Sequence, residues 1–144
     1  AVHNYQNIFD IDYYYNIFQP DIVVFEVAEY TINNIYFDLT KMENMKLNPV
    51  LPNDIVYTEE NNIKYSIEKG EVIDKLVFSG VPTNIEYIYF KMGNKLYDIK
   101  YVDGEYNLSI KSESLVIKGD EEIIFKKNND NKYYRSKVKE EKNK

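Results

Sequence analysis

From residue 55 onward apolar and polar side chains alternate, and short polar turns cut the alternation into strand-sized lengths. Ile63, Tyr65 and Ile67 alternate with Asn62, Lys64, Ser66 and Glu68, and Lys69-Gly70 turns the chain into Val72–Phe78. Tyr87, Tyr89 and Lys91 alternate with Ile88, Phe90 and Met92 as far as Gly93-Asn94. Leu96, Asp98 and Lys100 then alternate with Tyr97, Ile99 and Tyr101 as far as Asp103-Gly104. A period of two sends successive side chains to opposite faces, which is the pattern of a half-buried strand. Asp-Gly and Gly-Asn supply the positive φ angles that two-residue hairpin turns of the mirror-image types require. Tyr106, Leu108 and Ile110 carry the alternation to Ser112-Glu113-Ser114. Leu115-Val116-Ile117 and Glu121–Phe125 are expected to add a hairpin around Lys118-Gly119-Asp120, and Tyr133-Tyr134 to start a last edge strand. About six to eight short strands with a turn roughly every 8–12 residues predict a mostly antiparallel β-sandwich of immunoglobulin-like kind.

The first third of the chain reads differently. In Gln19-Pro20-Asp21-Ile22-Val23-Val24-Phe25-Glu26-Val27, four consecutive apolar residues follow a Pro-Asp turn. An unbroken β-branched run of that kind predicts a strand over 21–27 covered on both faces, as in parallel sheets. Before it, residues 5–11 are expected to form a short strand. Asp12 is a candidate N-cap for a helix carrying Tyr13, Tyr14, Ile17 and Phe18, which Pro20 stops. Ile35, Leu39, Met42 and Met45 predict a second, amphipathic helix. The fold class expected is therefore α+β, a short strand-helix-strand-helix segment ahead of the sandwich. Two prolines in Asn48-Pro49-Val50-Leu51-Pro52 mark the boundary, giving units at 1–50 and 51–136 and a frayed charged tail at 137–144.

Composition narrows the function classes. A net charge of −6 and a pI near 4.9 argue against nucleic-acid binding, which needs a basic surface. There is no cysteine, hence no disulfide framework, no thiolate zinc site and no Cys nucleophile. No apolar run approaches about 18 residues, so no transmembrane helix is expected. Tyr is abundant, 15 against 7 Phe and no Trp. Half-buried strands and carbohydrate-contacting surfaces both use Tyr, and an AT-rich coding bias, with Lys far outnumbering the single Arg135, also produces it.

The segment His3-Asn4-Tyr5, Asp10–Tyr14 and Gln19–Tyr30 resembles the closing part of the SGNH-hydrolase-like domain of alginate O-acetyltransferase-type proteins and of the related bacterial family named for a DHHW motif. Those proteins carry a strand of the form (K/Q)-P-D-(I/V)-V-(I/V)-x-E-x-x-E-R, and Pro20 through Glu29 fit it; Tyr30 stands where Arg is usual. The resemblance covers residues 3–45. It implies a parent enzyme with a serine nucleophile and an Asp-x-His pair that transfers or removes an acyl group on cell-envelope polysaccharide, outside the cytoplasm. It places those catalytic residues upstream, and this chain holds no Asp-x-His, Gly-Asp-Ser or Gly-x-Ser-x-Gly. It further implies a C-terminal β-sandwich for glycan or partner contact, with no cofactor. The rival expectation is a free-standing secreted carbohydrate-binding or adhesion module.

Candidate site residues are few. His3 is the only histidine and would have to serve any Ser-His-Asp arrangement. Glu26 and Glu29 fall at the carboxyl end of the expected parallel strand, where α/β folds place ligands, though bracing the following turn is the use favoured for them over catalysis. Tyr97, Tyr101 and Tyr106 are candidates for stacking on sugar rings, with cross-strand packing as the alternative. Asn128–Asn131 offers oxygen ligands without calcium-loop spacing, so no metal is expected. If the strand at 21–27 is exposed, pairing between copies of the chain is expected.

Overall fold

A computed structural model describes residues 11–24, 47, 49–58 and 62–142. After helix α1 (Ile11–Phe18) come β1 (Val56–Tyr57), β2 (Lys64–Glu68), β3 (Ile73–Ser79), β4 (Ile85–Met92), β5 (Lys95–Asp98), β6 (Lys100–Val102), β7 (Glu105–Lys111), β8 (Glu122–Lys127), β9 (Tyr133–Lys137) and β10 (Lys139–Glu140). They form two five-stranded sheets, one in the order β1-β9-β8-β4-β5 and the other β10-β2-β3-β7-β6. Pairing is antiparallel except for β1 with β9 and β10 with β2.

The inner faces meet in one core. Ile88, Phe90, Ile123 and Phe125 from the first sheet pack with Tyr65, Leu76, Phe78, Leu108 and Ile110 from the second. Phe90 sits between the sheets, its ring centroid 5.7 Å from both Tyr65 and Phe78. Each sheet is therefore stabilised chiefly by covering the apolar face of the other. The alternation breaks once, where Ile85 and Ile88 both turn inward three residues apart. A bulge at Glu86 absorbs the extra residue and leaves Glu86 and Tyr87 flanking Lys126, which forms an ion pair with Glu86.

Two bent strands join the sheets. β5 and β6 are one strand that leaves the first sheet for the second at Ile99, whose side chain is buried in the core. β9 and β10 do the same at Val138. The tail expected to fray at 137–144 is thus ordered through β10. Val138 is the apolar residue that anchors it, and Glu141 N–H donates to the Tyr65 carbonyl at 2.7 Å. β1 flanks β9, so Tyr133-Tyr134 opens an interior strand rather than an edge.

β6 is short and pairs only with Glu105–Asn107, which leaves the rest of β7 without a strand partner on that side among the described residues. Helix α1 packs against β7 and β5. Its buried Asn16 acts as a substitute strand: Nδ2 donates to the Asp98 carbonyl at 2.8 Å, and Asp98 N–H donates to Oδ1 at 3.1 Å. The helix begins at Ile11, so Asp12 lies in its first turn rather than capping it. It ends where Gln19 turns left-handed (φ 44°) and donates to the Tyr15 carbonyl at 2.8 Å, and Pro20 follows. Although α1 falls in the sequence unit expected to be separate, 1–50, it closes the seam of the sandwich.

Two expected strands do not appear among the described residues. Asp21–Val24 has no strand partner among the described residues, and Ile22 and Val24 are 79% and 82% exposed. Strand propensity alone does not make a strand where no sheet edge meets it. Residues 25–27 lie outside the described residues, as do 1–10 and the helix expected around 35–45. Leu115–Ile117 forms no strand either, and beyond it the Glu121 carboxylate accepts hydrogen bonds from the Lys118 and Gly119 amides and closes a loop there.

Candidate functional site

The β6–β7 hairpin carries the aromatic pair open to solvent that most resembles a contact site. Its turn is Asp103-Gly104, with φ of 52° and 77°, the two positive angles of a type I′ turn. A two-residue turn fixes the register, so Val102 faces Glu105 and Tyr101 faces Tyr106. The rings of Tyr101 and Tyr106 lie with centroids 4.7 Å apart at 52° to one another. Tyr106 is half-buried and rests on the core, whereas Tyr101 is 63% exposed. Burial, and then the neighbouring Tyr101 phenol, push the Tyr106 hydroxyl up from its ordinary value.

The third tyrosine expected here does not join them. Tyr97 is 1% exposed and faces inward among the core residues of both sheets, where no sugar can reach it. It sits on β5, before the Ile99 corner, and Tyr101 on β6, after it; the switch between sheets separates residues that one alternating run had placed on a common face. His3, Glu26 and Glu29 lie outside the described residues.

Two polar arrangements had no forewarning in the sequence reading. Asp74 is wholly buried at the start of β3. One carboxylate oxygen accepts from the Ser112 hydroxyl at 2.7 Å and the Gly70 amide at 3.1 Å, and the other from the Lys69 ammonium at 3.1 Å. Burial alone would raise its pKa; the Ser112, Gly70 and Lys69 hydrogen bonds and the Lys69 charge outweigh that and hold it below the ordinary carboxyl value. The arrangement ties the β2–β3 turn to the end of β7. A side chain at Gly70 would strike the Ile73 carbonyl at 2.1 Å, so the turn must pass this close with glycine. An acidic residue in phase with Leu76 and Phe78, and so on their inward face, was the available signal.

The second arrangement lies on the outer face of the first sheet. The guanidinium of Arg135 stacks 3.7 Å over the Tyr57 ring and reaches Glu122 at 3.9 Å, while the Tyr57 hydroxyl donates to Glu122 at 3.5 Å. It pins the two-residue strand β1 to β9. In the β8–β9 loop, Asp130 is occupied by the Tyr134 hydroxyl at 2.6 Å and the Lys132 amide at 3.0 Å. Among the described residues no group of three or more His, Asp or Glu side chains converges as a metal site requires, and no helix is long and apolar enough to cross a membrane.

The fold and its surface define a two-sheet β-sandwich whose edge hairpin presents an exposed Tyr101 backed by the half-buried Tyr106. No family model, curated protein or solved structure matches the chain.

Proposed function

We propose that the chain is the non-catalytic C-terminal portion of an extracytoplasmic SGNH-type acyltransferase or esterase acting on cell-envelope polysaccharide, and that its sandwich makes the glycan contact. The contact role is carried by one observation: the Tyr101 ring stands open to solvent while Tyr106, seated on the core, holds it from behind. An aromatic face fixed before a ligand arrives loses little rotamer freedom on binding. The parent assignment rests on the resemblance of Pro20–Glu29, and the exposed apolar run Ile22–Val24 is in keeping with it, since such a run is normally covered by further structure. An immunoglobulin-like arrangement is supported by strand order. With β2, β3, β6 and β7 taken as A, B, D and E, and β4, β5, β8 and β9 as C, C′, F and G, the sheets run A-B-E-D and C′-C-F-G.

A second reading, a free-standing secreted carbohydrate-binding or adhesion module, is favoured by the way Asn16 builds α1 into the sandwich. The coding sequence ahead of Ala1 separates the two. An Asp-x-His and a serine motif upstream are expected for the first; a signal peptide directly before Ala1 would establish the second. Glycan-array binding that falls on Tyr101→Ala is expected under both, and its absence would remove the contact role.

A further inference from the structure

We propose that the open edge of β6 recognises a single uncharged pyranose, with the Tyr101 ring as stacking face and the Tyr101 main chain as hydrogen-bonding partner. This deepens the glycan-contact reading and rests on it.

The hairpin geometry supplies both halves of the site. In a two-residue turn the closing pair, Val102 and Glu105, exchanges both ladder bonds, so the next pair, Tyr101 and Tyr106, is of the non-hydrogen-bonded kind. Such a pair brings its side chains closest, as the 4.7 Å ring separation reflects. It also turns the Tyr101 N–H and C=O away from β7. β6 is the outermost strand of its sheet, so among the described residues no further strand lies on that side to take them. An aromatic face, a main-chain donor and a main-chain acceptor therefore stand together at one residue. A pyranose offers the matching set, an apolar C–H face rimmed by hydroxyls.

The charges nearby select against acidic sugars. The Glu105 carboxylate is held by Lys75 at 2.9 Å and Asn107 at 3.5 Å. Lys100 alternates to the other face of β6 from Tyr101, leaving exposed Asp103 as the nearest charge along the chain on the turn side. The chain as a whole carries −6. The alternative occupant of an exposed strand edge is an extended peptide. β6 spans only Lys100–Val102 between the Ile99 corner and the turn, and a single residue of it presents its main chain outward. That is too little for a ladder and sufficient for one ring.

The test is a titration of the isotope-labelled 144-residue chain, followed through its amide resonances, with cellohexaose, with N-acetylated chitohexaose, with a galacturonate hexamer and with a Thr-Val hexapeptide. A saturating shift confined to Tyr101–Tyr106 and their neighbours is expected with at least one of the two uncharged oligosaccharides. Tyr101→Ala should weaken it about tenfold, and Tyr101→Phe should retain it, because the face and not the hydroxyl makes the contact. Tyr101 is exposed, so unchanged resonances elsewhere in Tyr101→Ala verify the fold. No response to either uncharged oligosaccharide, or a response that survives Tyr101→Ala, overturns the proposal. Preferential binding of the peptide at this edge overturns it as well. Preferential binding of the galacturonate at Tyr101 overturns the uncharged-ligand assignment while leaving the glycan-contact function standing.

Discussion

The outer faces of the two sheets come from the same alternation and meet different surroundings. On the first sheet the row that crosses β1, β9, β8, β4 and β5 is Tyr57, Arg135, Ile124, Tyr89 and Asp98, and its centre, Ile124 and Tyr89, is closed to solvent. On the second sheet the corresponding positions are Ser66, Glu68, Lys75, Val77, Asn107 and Ser109, with Lys75 placed between Glu68 at 3.9 Å and Glu105 at 2.9 Å. Both central strands contain three consecutive apolar residues, Ile123-Ile124-Phe125 in β8 and Leu76-Val77-Phe78 in β3. Only in β8 is the middle one buried, while Val77 stays half-exposed between Ser66 and Asn107. An apolar triplet thus signals two-sided burial only when its cross-strand neighbours are large enough to cover its middle residue, as Arg135 and Tyr89 flank Ile124 and Ser66 and Asn107 flank Val77.

If the faces differ in energy as they do in burial, truncation should separate them widely. Tyr89→Ala is expected to cost about 3 kcal/mol or more in urea or thermal unfolding, as for a buried aromatic, against less than about 1 kcal/mol for Lys75→Ala. Equal costs would break the comparison. The second sheet has its own vulnerable point on its inward side, where Asp74→Ala leaves the Ser112 hydroxyl and the Gly70 amide unsatisfied and should cost about 2–3 kcal/mol. Because the folded Asp74 pKa lies below its unfolded value, the stability it confers is fully present above the ordinary carboxyl range and lost as the pH falls through the lower folded value. Acid unfolding followed from pH 5 downward should therefore lose part of its slope in Asp74→Asn.

The seam between the sheets contributes to the alkaline limit. Burial, then Glu140 and Glu121, push the Tyr65 hydroxyl up to about 12. Below its unfolded value, near 10, neither state is ionised and stability is whole; between there and 12 the unfolded chain releases its proton first, so stability falls with rising pH, by an amount on the order of 2 kcal/mol. Tyr65→Phe should flatten the decline of melting temperature between pH 9 and 11. A smaller effect belongs to the capped edge: Asn16→Ala should cost about 1 kcal/mol, water replacing part of the lost pairing with Asp98. Its amide-exchange signature, faster exchange at Asp98 N–H, sharpens the contrast with Tyr101 at the uncapped edge.

Much of this architecture was legible. Alternation identified the strands from Lys64 to Lys111, and Gly93-Asn94 and Asp103-Gly104 located two hairpins, because period and turn chemistry are local properties. The tyrosine pair was legible in part. Asp103-Gly104 implies the Tyr101–Tyr106 register, but nothing local reveals that Ile99 turns a corner and buries Tyr97 on the other sheet. The ordered end of the chain was hidden for a similar reason. Val138 stands alone among charges, and only its insertion between the sheets makes Lys139–Glu140 a strand. Asp21–Val24 differs in the opposite direction, with every mark of a buried strand and no edge to meet among the described residues.

By itself, then, the sequence determined that this protein pairs short strands through tight turns and which side chains share a face, since both follow from the pleat and from φ angles that few residues adopt. Tertiary structure alone decided which faces are covered, where strands change sheets, and that Asn16, Asp74 and Val138 hold the seams. Those outcomes depend on contacts between residues far apart in the chain, which no local pattern encodes.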